Sequence, residues 1–115
     1  MGKKQKEASL SASAVPSPQI HEATLGSNGT VIKGAAITQT QAENRRQAGS
    51  DVVVCGPDLT ANRKLAGVIE QNANSSAKRC PPHANAGAHA LPHYQPDPRP
   101  PSGHTFYETP NRKAV

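Results

Sequence analysis

The sequence predicts an α+β fold, and three stretches of its 115 residues carry that expectation. DVVVC at 51–55 is rich in β-branched residues and bounded by Gly49–Ser50 and Gly56–Pro57, which makes it the clearest strand. Its unbroken apolar character implies burial on both faces. PDLTANRKLAGVIEQN at 57–72 is the clearest helix, with Asp58 at the N-cap. Ala61, Leu65, Val68, Ile69 and Asn72 form one stripe towards a core, with Arg63, Lys64 and Glu70 on the other side. GHTFYET at 103–109 alternates as a last strand should, His104, Phe106 and Glu108 on one face and Thr105 and Tyr107 on the other.

The remaining elements are weaker. Residues 1–29, rich in Lys, Ser, Ala and Pro and closed by GSNG, predict a basic leader too polar to offset its ordering entropy and hence disordered, with His21 exposed. TVIKGAAIT from Thr30 supplies a short strand. TQAENRRQAG follows with a capping box of Thr40 and Glu43, and with Gly49 to end the helix. From Asn72 to Gly103 runs a long Pro- and His-rich loop, a length that implies function where it is ordered. The expected organisation is a leader over 1–29, a small domain over 30–109 in the order β–α–β–α–long loop–β, and a basic tail over 110–115.

Composition bounds the function. Hydrophobic residues make up 34% of the chain, and eleven prolines and nine glycines interrupt most long elements, so only a small core is possible. The net charge is +5, carried by the two ends: residues 8–77 balance five basic against five acidic residues, while 78–115 hold five basic against two acidic. A basic end suits an anionic partner such as nucleic acid. Cys55 and Cys80 are too few for a disulfide framework, with Cys55 read as a packing residue. No apolar signal segment, membrane span, P-loop or dinucleotide fingerprint is visible, which predicts a cytosolic chain without a membrane anchor.

All three aromatic residues lie within Leu91–Glu108, LPHYQPDPRPPSGHTFYE, and four of the five histidines lie between 83 and 104. Three readings compete. In one, His93 and His104 are acid and base for cleavage of an RNA phosphodiester, Arg99 clamps the phosphate, and Thr105 gives a hydroxyl to a phosphate oxygen. Tyr94, Phe106 and Tyr107 then offer stacking faces, and Lys33, Arg45, Arg46, Arg63 and Lys64 are either solvated or phosphate contacts. In another, Cys80, His83, His89 and His93 hold a divalent metal such as zinc, although a zinc site needs two well-spaced ligand pairs and only CPPH resembles one. In the third, the histidines are solvated loop residues of a non-catalytic basic interaction module, and GHTFYE anchors the core through Phe106.

GSDVVVCGPDLTANRKLAGVIEQ, KRCPPH, LPHYQP and GHTFYE together resemble the C-terminal toxin modules of bacterial polymorphic toxins, the variable tips of Rhs-type, type VI-delivered and contact-dependent inhibition proteins. The resemblance covers about residues 49–109. Many such tips are similar to small ribonucleases of the barnase, EndoU and colicin type, in which helices precede a small antiparallel sheet. It implies a metal-independent, cofactor-free ribonuclease with His93 and His104 as acid and base and Arg99 on the phosphate. Thr105 and Tyr107 are implied as supporting groups, and Gln95 lies in the HYQ segment that carries much of the likeness. It further implies delivery by a carrier or secretion system into a target bacterium's cytoplasm, and a cognate immunity protein with an acidic surface. The sequence departs from barnase-like enzymes in lacking their Glu base, the nearby carboxylates being Asp97 and Glu108.

Overall fold

The computed structural model describes residues 17–82 and 86–115. The fold is α+β: strand β1 (Gln19–Leu25), β2 (Val31–Ile37), helix α1 (Gln39–Gln47), β3 (Val52–Cys55), helix α2 (Leu59–Asn74), β4 (Lys78–Cys80), β5 (His93–Gln95) and β6 (Thr105–Tyr107). One six-stranded sheet has the order β2-β1-β3-β6-β5-β4. All neighbours are antiparallel except β3 and β6, which run parallel. No helix among the described residues is long and apolar enough to cross a membrane.

The DVVVC strand lies at the interior of the sheet, and Val52, Val53 and Val54 are fully buried as its continuous apolar character requires. Val52 and Val54 face the two helices with Ile20, Ala42, Ala66, Ile69 and Tyr107. Val53 and Cys55 face the other way, onto a second cluster with Val31, Leu91, Phe106 and Ala114. Helices therefore cover one face. The Pro- and His-rich loop and the chain's last residues cover the other.

Several boundaries differ from expectation. Residues 1–16 of the expected leader lie outside the described residues, whereas Gln19–Leu25 form β1, paired with both β2 and β3. Its buried Ile20 and Ala23 were hidden by the polar residues around them. Helix α1 is capped by Thr38 and Gln41, not Thr40 and Glu43, two residues earlier than expected. The expected tail is structured in part: Ala114 is buried, and Val115 exchanges backbone hydrogen bonds with β2, its N–H reaching Val31 O at 3.0 Å. The long loop carries two more strands, β4 and β5, too short to show a period.

Helix α2 starts as expected, with the Asp58 carboxylate accepting from the Ala61 N–H at 2.8 Å. Its buried stripe, however, is Asn62, Ala66, Ile69 and Glu70, with Val68 exposed. The helix is turned by about one residue because Glu70 has a buried partner. Arg46, expected at a solvated face or a phosphate, is fully buried and donates from Nε to Glu70 Oε1 at 2.7 Å and from Nη2 to Oε2 at 3.2 Å. Thr105 donates to the same Oε1 at 2.8 Å. A buried ion pair of this kind is tolerable only when the remaining donors are also satisfied. Arg46 Nη1 meets that condition by donating to the carbonyls of Ser50 and Ser102, each at 3.0 Å.

Candidate functional site

Arg46 thus joins the turn before β3 to the turn before β6. The parallel register pairs Val52 with Thr105, so the residues just before each strand, Asp51 and His104, become neighbours. Asp51 Oδ1 accepts from the His104 backbone N–H at 2.8 Å and from the imidazole Nδ1–H at 3.0 Å. The Asp51 carbonyl is itself held by Arg45, whose Nη2 donates to it at 3.0 Å, and by the Ala23 N–H at 3.1 Å. One carboxylate oxygen therefore fixes the His104 ring in place and puts the neutral ring's proton on Nδ1, leaving Nε2 for chemistry.

His93 stands opposite Phe106 in the β5–β6 pair. Its ring meets that of His104 edge to face, with centroids 4.6 Å apart at 76°, and Phe106 lies 5.5 Å from His93 and 4.9 Å from His104. His93 Nε2 faces Gln95 Oε1 at 3.3 Å, while its buried Nδ1 makes no hydrogen bond of ordinary geometry among the described residues. Burial holds the His93 pKa below its ordinary value, and the charge of His104 pushes it the same way. Hydrogen bonding with Gln95 and the Leu91 backbone works against this, and the Arg99 charge adds to the lowering.

These three rings form one wall of a half-open cleft of about 270 Å³. Ala90 and Leu91 of the loop form another, and Leu25 and Gly29 of the β1–β2 hairpin close it. Gly29 has φ +74 and a Cβ there would lie 3.3 Å from Ala90, so the hairpin approaches the loop at glycine. The loop is fixed from behind. Arg112 Nη1 donates to the carbonyls of Gly87 and Ala90 at 2.8 and 3.0 Å, and a His89 Nδ1 contact of 2.8 Å reaches the Lys113 carbonyl.

Of the expected site residues, the fold brings together His93, His104, Phe106 and Gln95. Arg99 is exposed and donates from Nη2 to the Gly103 carbonyl at 3.0 Å, bracing its own loop, with its charge within reach of His93. Thr105 and Tyr107 are not beside the histidines. Both are buried on the helix face, Thr105 against Glu70 and Tyr107 with its ring 5.8 Å from Tyr94. Strand alternation already separated them from His104 and Phe106, and residues that alternate cannot serve one cleft. Tyr94 contacts the Gly67 position of α2, so it too lies on the helix side of the sheet; Arg63 and Lys64 sit on α2 itself, Arg63 half-buried and Lys64 exposed. Glu108 is engaged elsewhere, accepting from the Gly56 and Ala114 backbone N–H groups at 3.3 and 3.0 Å.

The alternative metal set fares differently. His83 lies outside the described residues, and His89 is turned to Lys113. Among the described residues no three His, Cys, Asp or Glu side chains are grouped to share an ion.

Asp51 was missed altogether. Its partner is 53 residues away, and its role depends on a parallel strand pairing for which no local signal exists. Arg46 and Glu70 were missed for a similar reason, since charge patterning assigns both to solvent. No family model, curated protein or solved structure matches the chain.

Proposed function

We propose that this chain is a metal-independent, cofactor-free ribonuclease, a toxin domain delivered from a producing bacterium by a carrier or secretion system into the cytoplasm of a target cell. The observation that carries the reading is the Asp51–His104 pair with His93 in ring contact beside it, at the wall of an open cleft. Cleavage of RNA needs a base for the 2′-hydroxyl and an acid for the leaving 5′-oxygen. The lowered pKa of His93 favours its neutral form, the state of a base. His104, when protonated, has the Asp51 carboxylate as counter-charge at 3.0 Å, the arrangement that suits an acid.

With their centroids 4.6 Å apart, the two rings touch. The scissile phosphate therefore lies across their edges rather than between their faces. To act as the base, His93 must exchange its long Nε2 contact with the Gln95 Oε1 acceptor for the substrate and carry its ring proton on Nδ1 instead of Nε2. Arg99, exposed and only partly engaged, is the cation for the phosphate as charge builds on it. Phe106 gives an apolar surface for a base. The net charge of +5 fits an RNA substrate and an immunity protein with an acidic face.

The test is incubation of purified protein with total RNA in EDTA, alongside His104→Ala. Cleavage in EDTA that is lost in the variant supports the reading. Cleavage restored only by a divalent metal points instead to a metal-dependent nuclease. Intact RNA under both conditions points to a non-catalytic binding module.

A further inference from the structure

A second concavity of about 390 Å³ lies beside the cleft, lined by Arg79, Cys80, Pro81, Pro82, Pro92 and Tyr107. Pro82 lines both, so the two hollows share a rim. The β4–β5 register pairs Cys80 with His93 and Arg79 with Tyr94, which puts Arg79 one residue along from the cross-strand neighbour of His93. Burial raises the Tyr107 pKa, with Tyr94 next in effect, while the charges of Arg79 and Arg63 act against it. Both guanidiniums are therefore within electrostatic reach of the groove floor. Lys78 and Arg79 are exposed, and among the described residues no carboxylate lies within ion-pairing distance of Arg63, Lys78 or Arg79.

We infer that this groove binds the single-stranded RNA flanking the scissile phosphate, a role that rests on the ribonuclease reading. Arg79 takes a phosphate, with Arg63 adding to the positive field. The exposed Pro81 and half-buried Pro82 supply the flat apolar surface a nucleobase needs, backed by the buried Pro92 and Tyr107. Uncompensated cations beside a flat apolar surface suit a strand that alternates phosphate and base. An acidic polypeptide would use the cations and leave the surface unfilled. The strand passes around Pro82 from one hollow into the other.

The experiment uses full-length His104→Ala protein, a hexaribonucleotide, NMR shift mapping and affinity measured against salt. Expected are shifts at Arg79, Cys80 and Tyr107 as well as at His93 and Phe106. In Arg79→Ala on that background, affinity should fall about tenfold, and the slope of log K on log salt should shrink by about 0.7, the loss of one single-strand phosphate contact. Shifts confined to the cleft, with Arg79→Ala binding unchanged, overturn the groove and leave the ribonuclease reading standing. Groove shifts from the hexamer, with wild-type protein leaving RNA intact in EDTA, support RNA binding in the groove and overturn the catalytic reading instead. Equal shifts and affinity for a poly-glutamate peptide of matched charge overturn the assignment to RNA.

Discussion

Asp51 and His104 meet through a single carboxylate oxygen, which accepts from the His104 backbone N–H at 2.8 Å and from the ring Nδ1–H at 3.0 Å. The first contact sets where the backbone of residue 104 sits, and the second sets how its ring is turned. Because β3 and β6 run parallel, the pair stands at the same end of adjacent strands, where the chain enters the sheet and a side chain can reach a cleft. Arg46, bound to the carbonyls of Ser50 and Ser102, holds the two turns that deliver them.

Replacing Asp51 by Asn keeps an oxygen for the backbone N–H and removes the charge and the tautomer preference. If His104 works as proposed, cleavage of an RNA oligonucleotide falls by roughly 10³–10⁴-fold, as carboxylate-to-amide changes do in histidine dyads that depend on tautomer. Circular dichroism should show the fold retained. Wild-type turnover in Asp51→Asn would reduce the pair to a structural contact.

His93 makes stability depend on pH in a defined direction. Its folded pKa lies below the reference value of 6.5, so between the folded value and 6.5 the unfolded chain binds more protons than the folded one. Stability is therefore highest above pH 6.5, declines as the pH falls through that point, and stops changing on this account below the folded pKa. Thermal melts from pH 8 to pH 5 should show the decline, and His93→Phe should flatten it. Proton NMR of the His93 ring gives the folded value directly; a midpoint above 6.5 would contradict the burial argument.

What the sequence disclosed follows the range of the interactions involved. DVVVC and the Asp58-capped helix rest on contacts within a few residues, and both form as expected. The His93–His104 neighbourhood was also legible, because GHTFYE declares its own strand and the aromatics cluster around it. Thr105 and Tyr107 were misassigned to that neighbourhood although their own alternation put them on the opposite face. Strands β1, β4 and β5 escaped notice because the sheet, not their composition, makes them strands: β4 and β5 have three residues each, and β1 is largely polar. Asp51 escaped because its partner is supplied by topology. The rotation of α2 followed from Glu70, a carboxylate that solvent would claim were Arg46 not buried beside it.

That buried pair should dominate mutational loss of stability. Glu70→Gln leaves the Arg46 guanidinium buried without a counter-charge and weakens the Thr105 contact, at a cost of about 3–5 kcal/mol. Urea denaturation followed by fluorescence of Tyr94 and Tyr107 measures it. Gly103→Ala acts on the same network. Gly103 has φ +90, and a Cβ there would come within 2.6 Å of both Arg46 Nη1 and the Gly49 carbonyl. A left-handed non-glycine residue alone costs about 1–3 kcal/mol, and the clash adds to it. A Glu70→Gln variant as stable as wild type would show that the pair contributes nothing beyond its own desolvation.

The two cysteines should separate cleanly by reactivity. Cys55 is buried at the end of β3, and its thiol is pushed up to about 12 chiefly by that burial, with the Glu108 charge acting in the same direction. At pH 8 roughly one such thiol in ten thousand is thiolate, the form that reacts. Cys80 is only half-buried, on the short strand beside the proline-lined groove. A disulfide reagent at pH 8 should therefore modify one thiol per chain within minutes and the second only on unfolding, with peptide mapping placing the first label on Cys80. A hexaribonucleotide bound in the groove should slow the Cys80 reaction and leave the Cys55 rate, set by unfolding, tied to stability alone. Rapid labelling of both thiols in the folded chain would mean that the face carrying Val53, Phe106 and Ala114 opens far more readily than its packing implies.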